Sequence, residues 1–250
     1  MELFQPEIGV QIGAYSVKKG IEIEVCSDFR AYFDWAKVRF TSPYYGQIEA
    51  GKGEESSIYL GYSGIMEEVF EGYVCQPYNQ ASGKHEILLK DAMQRLEAVR
   101  VSETFLDVIP QEMVRYLMSM AGIEHFVLSQ EIYQPKKIVP VWEKNGIQLL
   151  EEIQALWGIQ VPFFFEGGTF YWGTQPEQKQ IYLFSYGSNI VRLRRNLGDW
   201  ELETVSAPFI RHSHVIEIEH PIYTGRATVK KVVFKTNDAG FIRTYITFAE

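Results

Sequence analysis

Hydrophobic and polar residues alternate along the first part of the chain, from Glu7 to about Lys90, and this pattern predicts short β-strands. Ile21 to Val25 alternates apolar with acidic residues, and Ala36 to Thr41 alternates apolar with basic residues. A period of two residues turns one face of a strand towards a core and the other towards solvent. Pro43, Gly51 and Gly53 then interrupt the pattern, as turns do. We therefore expect antiparallel β-structure here.

The most regular stretch of this region runs from Ile58 to Val74 and predicts a β-hairpin. Its two arms are rich in aromatic and β-branched residues, which suit a half-buried pleated surface. Glycines 61, 64 and 72 lie where the chain turns or where another backbone could approach closely. We expect these glycines to satisfy the backbone geometry of the hairpin rather than to form a ligand loop.

The period changes to that of a helix at Asp91. Three helices are predicted: Asp91 to Arg100, capped by Asp91; a second that starts at Pro110 and ends at Gly122; and a third from Asn145 to Gly158. Asparagine and aspartate are favourable first residues of a helix, and glycine commonly ends one. All three apolar faces are expected to pack into a core.

A second hairpin is predicted directly after the third helix. Val161 to Glu166 and Thr169 to Trp172 flank Gly167-Gly168, and two glycines can take the positive φ angles of a tight turn. Its aromatic residues allow two interpretations, core packing or an exposed platform that stacks sugars or bases. Core packing is favoured because the neighbouring helix needs a partner for its apolar face. The aromatic residues concerned are Phe163, Phe165, Tyr171 and Trp172.

Strand patterns resume after a polar linker at Gln175 to Gln180 and continue to Phe248. The segment from Ile216 to Ile246 repeats the order found from Ile58 to Leu89: strand, loop, strand, turn, strand. The turns at Asn79 to Gly83 and Asn237 to Gly240 occupy equivalent places. This internal similarity predicts two related β-domains that flank a helical insertion.

The charge of the chain limits the partners that it can bind. A net charge of −8 and a pI near 5.3 disfavour tight binding of nucleic acid over the whole surface, which requires a basic face. Arg192, Arg194 and Arg195 form a local basic cluster. On a strand, residues 192 and 194 share one face and residue 195 lies on the other. We favour a solvated or interfacial ion-pair set over a phosphate site.

Cys26 and Cys75 are the only cysteines among 250 residues, and their number alone does not show whether they pair. Residues 1–9 lack the basic and apolar regions of a secretion signal, so we expect assembly in the cytoplasm and free thiols. No segment approaches the roughly 20 apolar residues that span a bilayer, so no membrane span is expected.

Only one group of residues indicates metal chemistry. His212 and His214 would share a face of a strand, where two imidazoles could bind zinc, and His220 is a distant third ligand. Polarity at a surface or an interface is the favoured interpretation. The sequence contains no nucleophile elbow, phosphate loop or dinucleotide fingerprint. We therefore predict no catalytic, cofactor-binding or metal-binding residues and no enzymatic activity.

Several segments together resemble the baseplate hub proteins of contractile phage tails, the late control gene D protein family, and the hub portion of type VI secretion spike proteins. The resemblance covers roughly residues 20–175 in the order of that family. The resembling segments are Leu60 to Gly64, Val69 to Val74, Lys90 to Ala92, Arg100 to Phe105, Met120 to Ile123, Gln148 to Glu151 and Tyr171 to Gly173.

The resemblance implies a fold of the α+β class, mainly β, with two tube-like antiparallel β-barrel domains at residues 1–90 and 179–250. A mixed domain of helices and a hairpin lies between them, at residues 91–178. It also implies a structural homotrimer in a virion or tail-like particle, whose pseudo-sixfold ring joins a hexameric tail tube protein to a trimeric spike protein and contacts other baseplate proteins. DNA or cargo would pass through its channel without specific binding.

The family also sets expectations about the ends and the interior of the chain. Secretion spike proteins continue into an oligosaccharide-binding fold and a needle, whereas this sequence reaches Glu250 after its second β-region. We therefore expect the spike to be a separate chain. Strand alternation would place the carboxylates of residues 22, 24, 217 and 219 on one face, and we expect some of them to line the channel. The alternative function is a carbohydrate-binding β-module that uses the aromatic hairpin, and a metal-dependent hydrolase is a third.

Overall fold

A computed structural model describes residues 6–44, 47–77, 85–196, 198–236 and 241–249. The fold is mainly β with three helices, as predicted. The first segment contains seven strands: β1 (Pro6–Ile12), β2 (Tyr15–Val17), β3 (Ile21–Asp28), β4 (Trp35–Phe40), β5 (Glu55–Tyr62), β6 (Ile65–Gln76) and β7 (Glu86–Lys90).

The hairpin predicted between Ile58 and Val74 is confirmed by β5 and β6. Ser63 and Gly64 form its two-residue turn with φ angles of 49° and 83°, the geometry that suits the twist of paired strands. Glycine at positions 61 and 72 allows close approach, since a Cβ there would lie 1.9 Å and 2.2 Å from the carbonyl oxygens of Ile65 and Lys90. The expectation that these glycines serve the backbone is therefore confirmed.

The middle segment combines three helices with five strands. In chain order these are α1 (Met93–Ala98), β8 (Arg100–Val108), α2 (Pro110–Ala121), β9 (Phe126–Leu128), β10 (Lys136–Asn145), α3 (Gly146–Trp157), β11 (Phe163–Glu166) and β12 (Thr169–Trp172). β8 and β10 form an antiparallel ribbon, and β9 pairs in parallel with β12 of the second hairpin. Gly167 and Gly168, with φ angles of 54° and 71°, make the predicted tight turn.

The helix predictions have mixed outcomes. α2 begins at Pro110 and stops at Gly122, and α3 begins after Asn145, whose side chain accepts a hydrogen bond from the Gln148 amide, as predicted. The first prediction is wrong at both ends. The N-cap residue of the helix is Ala92, and the carboxylate of Asp91 accepts a hydrogen bond from the Asp34 amide. The helix ends at Ala98 because the chain becomes extended at the next residue. Leu156 on the expected core face of α3 is 37% exposed.

The last segment contains six strands: β13 (Tyr182–Ser185), β14 (Ile190–Asn196), β15 (Asp199–Val205), β16 (Val215–His220), β17 (Tyr223–Thr236) and β18 (Ile242–Phe248). The linker at Gln175 to Gln180 has no regular structure. The turns predicted at Asn79 to Gly83 and Asn237 to Gly240 lie outside the described residues. By residue contacts the chain divides into two compact units, Met1–Asp91 with Glu177–Glu250, and Ala92–Pro176.

The first unit is built around one 13-stranded sheet and one contiguous cluster of buried side chains. Eight of its strands follow each other in the order β14-β15-β18-β17-β3-β4-β7-β6. Inward and outward side chains alternate in each strand, and the register of neighbouring strands places inward residues opposite inward residues. Directly paired residues therefore form continuous rows across the buried face. One such row consists of Thr244, Phe234, Val25, Ala36, Leu89 and Val74.

Within this sheet, six strands from each end of the chain have the same topology. The first repeat is β1, β3, β4, β5, β6 and β7, and the second is β13 to β18. In both, the first strand pairs with the fourth, the second with the third, the third with the sixth, and the fifth with the fourth and the sixth. One difference is direction, since β1 is antiparallel to β5 whereas β13 is parallel to β16. The internal similarity thus extends further than the three strands predicted.

The equivalence of the repeats holds at single residues. Val74 in β6 exchanges backbone hydrogen bonds with Gly53 and Glu54, and Val229 in β17 does the same with Ser213 and His214. In each strand the next residue, Cys75 or Lys230, falls at a shift in register. The two repeats meet where β3 lies antiparallel to β17, through five residue pairs from Lys231↔Asp28 to Lys235↔Glu24. We call this contact the junction.

Candidate assembly surface

The large sheet presents a charged face opposite its core. The outward positions of β15, β18, β17, β3, β4 and β7 alternate with the buried ones, so their charged side chains stand in rows across the strands. In one row, Arg243 lies beside Lys235, which lies beside Glu24, which lies beside Lys37. The face is therefore a continuous polar surface that spans both repeats.

Ion pairs connect neighbouring strands on this face. Arg39 lies between two carboxylates, 3.1 Å from an oxygen of Glu22 and 3.5 Å from one of Glu86. At the junction, Lys235 Nζ lies 2.7 Å from Glu24 Oε1. Exposed pairs of this kind contribute about 1 kcal/mol or less each. Their main consequence is that the face stays polar while its charges are balanced.

A second ion-pair group joins the repeats at Asp199, the first residue of β15. Its carboxylate accepts hydrogen bonds from Lys230 Nζ at 2.7 Å and from Arg30 at 3.2 Å. The hydrogen bond from Lys230 lowers the pKa of Asp199. No motif in the sequence indicated this group, because its members come from distant segments. Only the density of charge in the alternating strands could have drawn attention to it.

The carboxylates predicted to point away from the core do so, and most of them lie beside a cation. Alternation buries Ile23 and Ile218 and leaves the neighbouring carboxylates outward, as predicted. However, Glu22 and Glu24 are paired with cations, Glu217 lies 3.9 Å from Arg226, and Glu219 accepts a hydrogen bond from Ser185. Three of the four carboxylates therefore lie beside cations, whereas Glu219 is hydrogen-bonded to a neutral serine. Whether a channel exists stays a prediction.

The three arginines of β14 are divided between its two faces, as predicted. Arg192 is paired across the strands with Glu203, and Arg194 is ion-paired with Glu201. Arg195 lies on the other face, with its guanidinium 5.9 Å from the centre of the Trp200 ring. The hydrogen bond from Asn196 contributes most to lowering the pKa of Glu201, and hydrogen bonding from Arg194 lowers it further. The cluster is thus largely an ion-pair set at one end of the sheet.

The histidine predictions are wrong in geometry. His212 and His214 do not lie on a strand, because Ser213 between them has a φ of 68° and makes a turn before β16. His212 is 3% exposed, so it is a core residue and not surface polarity. Burial lowers the pKa of both imidazoles to about 4. Among the described residues, no three histidine, cysteine, aspartate or glutamate side chains are grouped as metal ligands are.

The aromatic hairpin packs into the core of the second unit. Phe163 and Phe165 are each 7% exposed, and Phe170 and Trp172 are completely buried. Only Tyr171 is partly accessible, and its ring stacks on Phe164 at 5.6 Å. The prediction of core packing is therefore correct. The carbohydrate-binding alternative required exposed aromatic side chains, and this hairpin does not present them as a platform.

Both cysteines are free thiols, as expected. Cys26 is buried in β3, where burial raises the pKa of its thiol, and Cys75 is partly accessible in β6. Among the helices of the described residues, none has the length and apolar character needed to cross a bilayer.

Comparisons with known proteins reveal similarity in structure only. No protein-family model matches the sequence, and no curated protein matches it either. A 43 kDa tail protein of prophage MuSo2 from Shewanella oneidensis has a TM-score of 0.72 at 12% identity, with 97% of each chain covered. A tail protein from Neisseria meningitidis also has a TM-score of 0.72, at 11% identity, covering 99% of this chain and 97% of that one.

A third similar structure is a type VI secretion system component of E. coli, itself described as structurally similar to two tail proteins of bacteriophage T4. Its TM-score is 0.68 at 10% identity, with 96% of this chain and 76% of that chain covered. At such low identity these likenesses establish the fold. The chain therefore has the fold of phage tail proteins and of this secretion component over nearly its whole length.

Proposed function

We propose that the protein is a structural baseplate hub of a contractile phage tail or of a related tail-like injection particle. In this role it forms a homotrimeric ring that joins a hexameric tail tube to a trimeric spike, and it has no enzymatic activity. It is assembled in the cytoplasm and functions in the mature particle. The proposal goes beyond the shared fold and depends on the following observations.

The repeated six-strand topology is the observation that carries the proposal. A protein between a sixfold and a threefold partner must present both symmetries. Three chains that each contain two equivalent repeats offer six similar units on one side and three chains on the other. The junction between β3 and β17 provides a contact by which one repeat continues into the next. A single-repeat protein would lack this property.

Two further features support a structural role. Two tail proteins and a secretion component share the fold of this chain, and the likeness extends over 96–99% of it. The charged face of the sheet also suits the wall of a passage. Because its cations and carboxylates are already paired with each other, it offers few unpaired charges to passing DNA or cargo.

Electron microscopy of the purified full-length protein, viewed along the ring axis, tests the proposal. We expect particles with threefold symmetry, a central opening and six similar density lobes in the layer formed by the two repeats. Added tube protein and spike protein from the same particle should bind at opposite ends of the ring. Particles without an opening, or with two or four lobes, would contradict the role.

A further inference from the structure

We infer that the outward face of the β8–β10 ribbon binds another protein of the particle, through an apolar segment that carries an arginine or a lysine. The inference rests on the proposed function and adds to it a docking surface for a further protein of the baseplate. We call this surface the ribbon face. Its members are Thr104, Leu106, Ile138, Pro140 and Trp142.

The ribbon face is a contiguous apolar strip. Val139 and Val141 are buried, so their neighbours on β10 point away from the core. Ile138 is paired directly with Leu106 across the ribbon, and the two side chains are 64% and 67% exposed. Trp142, further along the same side of β10, is 76% exposed. The strip is therefore about 14 Å long. Contiguous exposed apolar side chains, unlike single ones, mark interaction surfaces.

A β-bulge fixes the position of Trp142. Trp142 and Glu143 together lie opposite the single residue Ser102, because the register shifts between Val141 and Lys144. Glu143 has a φ of 48°, which is unfavourable for a residue with a side chain. Its amide donates a hydrogen bond to Ser102 Oγ at 3.0 Å, which holds it there. Bulges redirect side chains and are frequent beside functional sites. The exposed indole is thus placed by a defined backbone feature.

Negative charge surrounds the indole. An open cleft of about 580 Å³ lies beside Trp142, between the end of β10 and the first turns of α3. Its charged lining residues are Glu143, Lys144, Glu151 and Glu152. Lys144 Nζ lies 3.0 Å from a carboxylate oxygen of Glu152. Three carboxylates against one ammonium give the lining an excess of negative charge. Because the face of an indole and nearby carboxylates both attract cations, this end of the ribbon face suits a cationic side chain.

The charge beside the ribbon face favours another protein over a second copy of this chain as its partner. A face-to-face dimer has a twofold axis, which brings the same patch of both copies together. The carboxylates beside the two Trp142 residues would then approach each other, and like charges at an interface are unfavourable. A cationic, apolar segment meets no such repulsion. Tryptophan and arginine are also the residues that most often dominate binding at protein interfaces.

Photo-crosslinking in assembled particles tests the inference. The photoreactive residue p-benzoylphenylalanine replaces Trp142, and purified tail particles that contain this variant are irradiated. We expect a cross-link to a different protein of the particle, at a segment that mass spectrometry shows to be apolar and to contain an arginine or a lysine. The matched control carries the same photoreactive residue at Val127, which is 44% exposed on β9, outside the ribbon face. It should not cross-link to that segment.

The cross-linked protein then serves for affinity measurements with the full-length chain. Trp142→Ala should weaken binding about tenfold or more, because a central tryptophan carries much of the energy of an interface. Glu143→Gln should weaken it about twofold to fivefold at low ionic strength and less at high ionic strength, since salt screens exposed charges. Val127→Ala should leave the affinity unchanged. Equal affinities for Trp142→Ala and Val127→Ala would overturn the inference.

The outcomes separate this inference from the proposed function. Purified tail particles that lack the protein overturn the proposed function, and the inference falls with it. A protein that is present in the particles, but whose residue 142 cross-links to nothing or to a second copy of this chain, overturns the inference and leaves the structural role intact. A cross-link to a segment without a cationic residue overturns it as well.

Discussion

Replacing Gly72 with alanine should destabilise the large sheet, because the backbone of β7 occupies the space that a side chain needs. A Cβ at this position would lie 2.2 Å from the carbonyl oxygen of Lys90 and 2.8 Å from the ring of Phe70. Real Cβ atoms essentially never approach a heavy atom within 3.0 Å, so the two strands must separate locally by about 0.8 Å.

The cost of this separation follows from the short contact between the two strands. Among the described residues, β6 and β7 share three residue pairs, of which Tyr73↔Lys90 is the closest to the substitution. Each lost hydrogen bond costs about 1 kcal/mol, and overpacking typically costs about 1–3 kcal/mol. We therefore expect a loss of about 2–4 kcal/mol. In a chain of this size, that lowers the melting temperature by about 4–16 °C.

Gly9 provides the matched control, since it also lies in a strand of this sheet. A Cβ on Gly9 would have its nearest neighbour, Tyr59 Cβ, at 3.7 Å, which is an ordinary contact. Gly9→Ala should therefore change stability by less than about 1 kcal/mol. Thermal unfolding followed by circular dichroism compares the two variants. Equal melting temperatures for Gly72→Ala and Gly9→Ala would refute the reasoning. Gly72→Val should lower the melting temperature further than Gly72→Ala does.

Three further substitutions test other parts of the structure. Burial lowers the pKa of His212 from 6.5 to about 4. Between pH 6.5 and pH 4 the unfolded chain therefore binds more protons than the folded one. The free energy of unfolding should fall by on the order of 3 kcal/mol as the pH is lowered through this range. His212→Asn should weaken this dependence in pH-resolved urea denaturation, and an unchanged acid profile would contradict it. Phe170→Ala should lower the free energy of unfolding by about 3–5 kcal/mol, because the ring is fully buried. Val127 is 44% exposed, so Val127→Ala should lower it far less in the same urea denaturation assay. Asn145→Ala should cost about 1 kcal/mol through loss of the cap of α3, and no change in melting temperature would argue against that cap.

Local patterns predicted the elements that local chemistry determines. The hairpins at Ser63-Gly64 and Gly167-Gly168 and the ends of α2 and α3 depend on neighbouring residues, so they could be predicted from the sequence. β8 could not, because Val101 and Val108 are buried while five of the six residues between them are exposed, so neither a strand nor a helix period is visible. Its partner β10 is 28 residues further along the chain at the nearest paired positions, Val108 and Lys136.

The charged face shows the same limit of sequence reasoning. The alternation from Ile21 to Val25 predicted correctly that Glu22 and Glu24 point outward. It could not predict that Lys235 lies opposite Glu24, because this ion pair joins opposite ends of the chain. The histidine prediction was wrong for a related reason, since a period of two residues was assumed where Ser213 turns the backbone.

The mass of the purified full-length protein, measured by light scattering during size-exclusion chromatography, tests the central claim most directly. A trimer would have a mass of about 87 kDa, three times the 28.9 kDa of one chain. We predict this mass for the protein alone or after addition of its spike protein. A protein that stays at the mass of a single chain in the presence of both tube and spike would contradict the proposed hub.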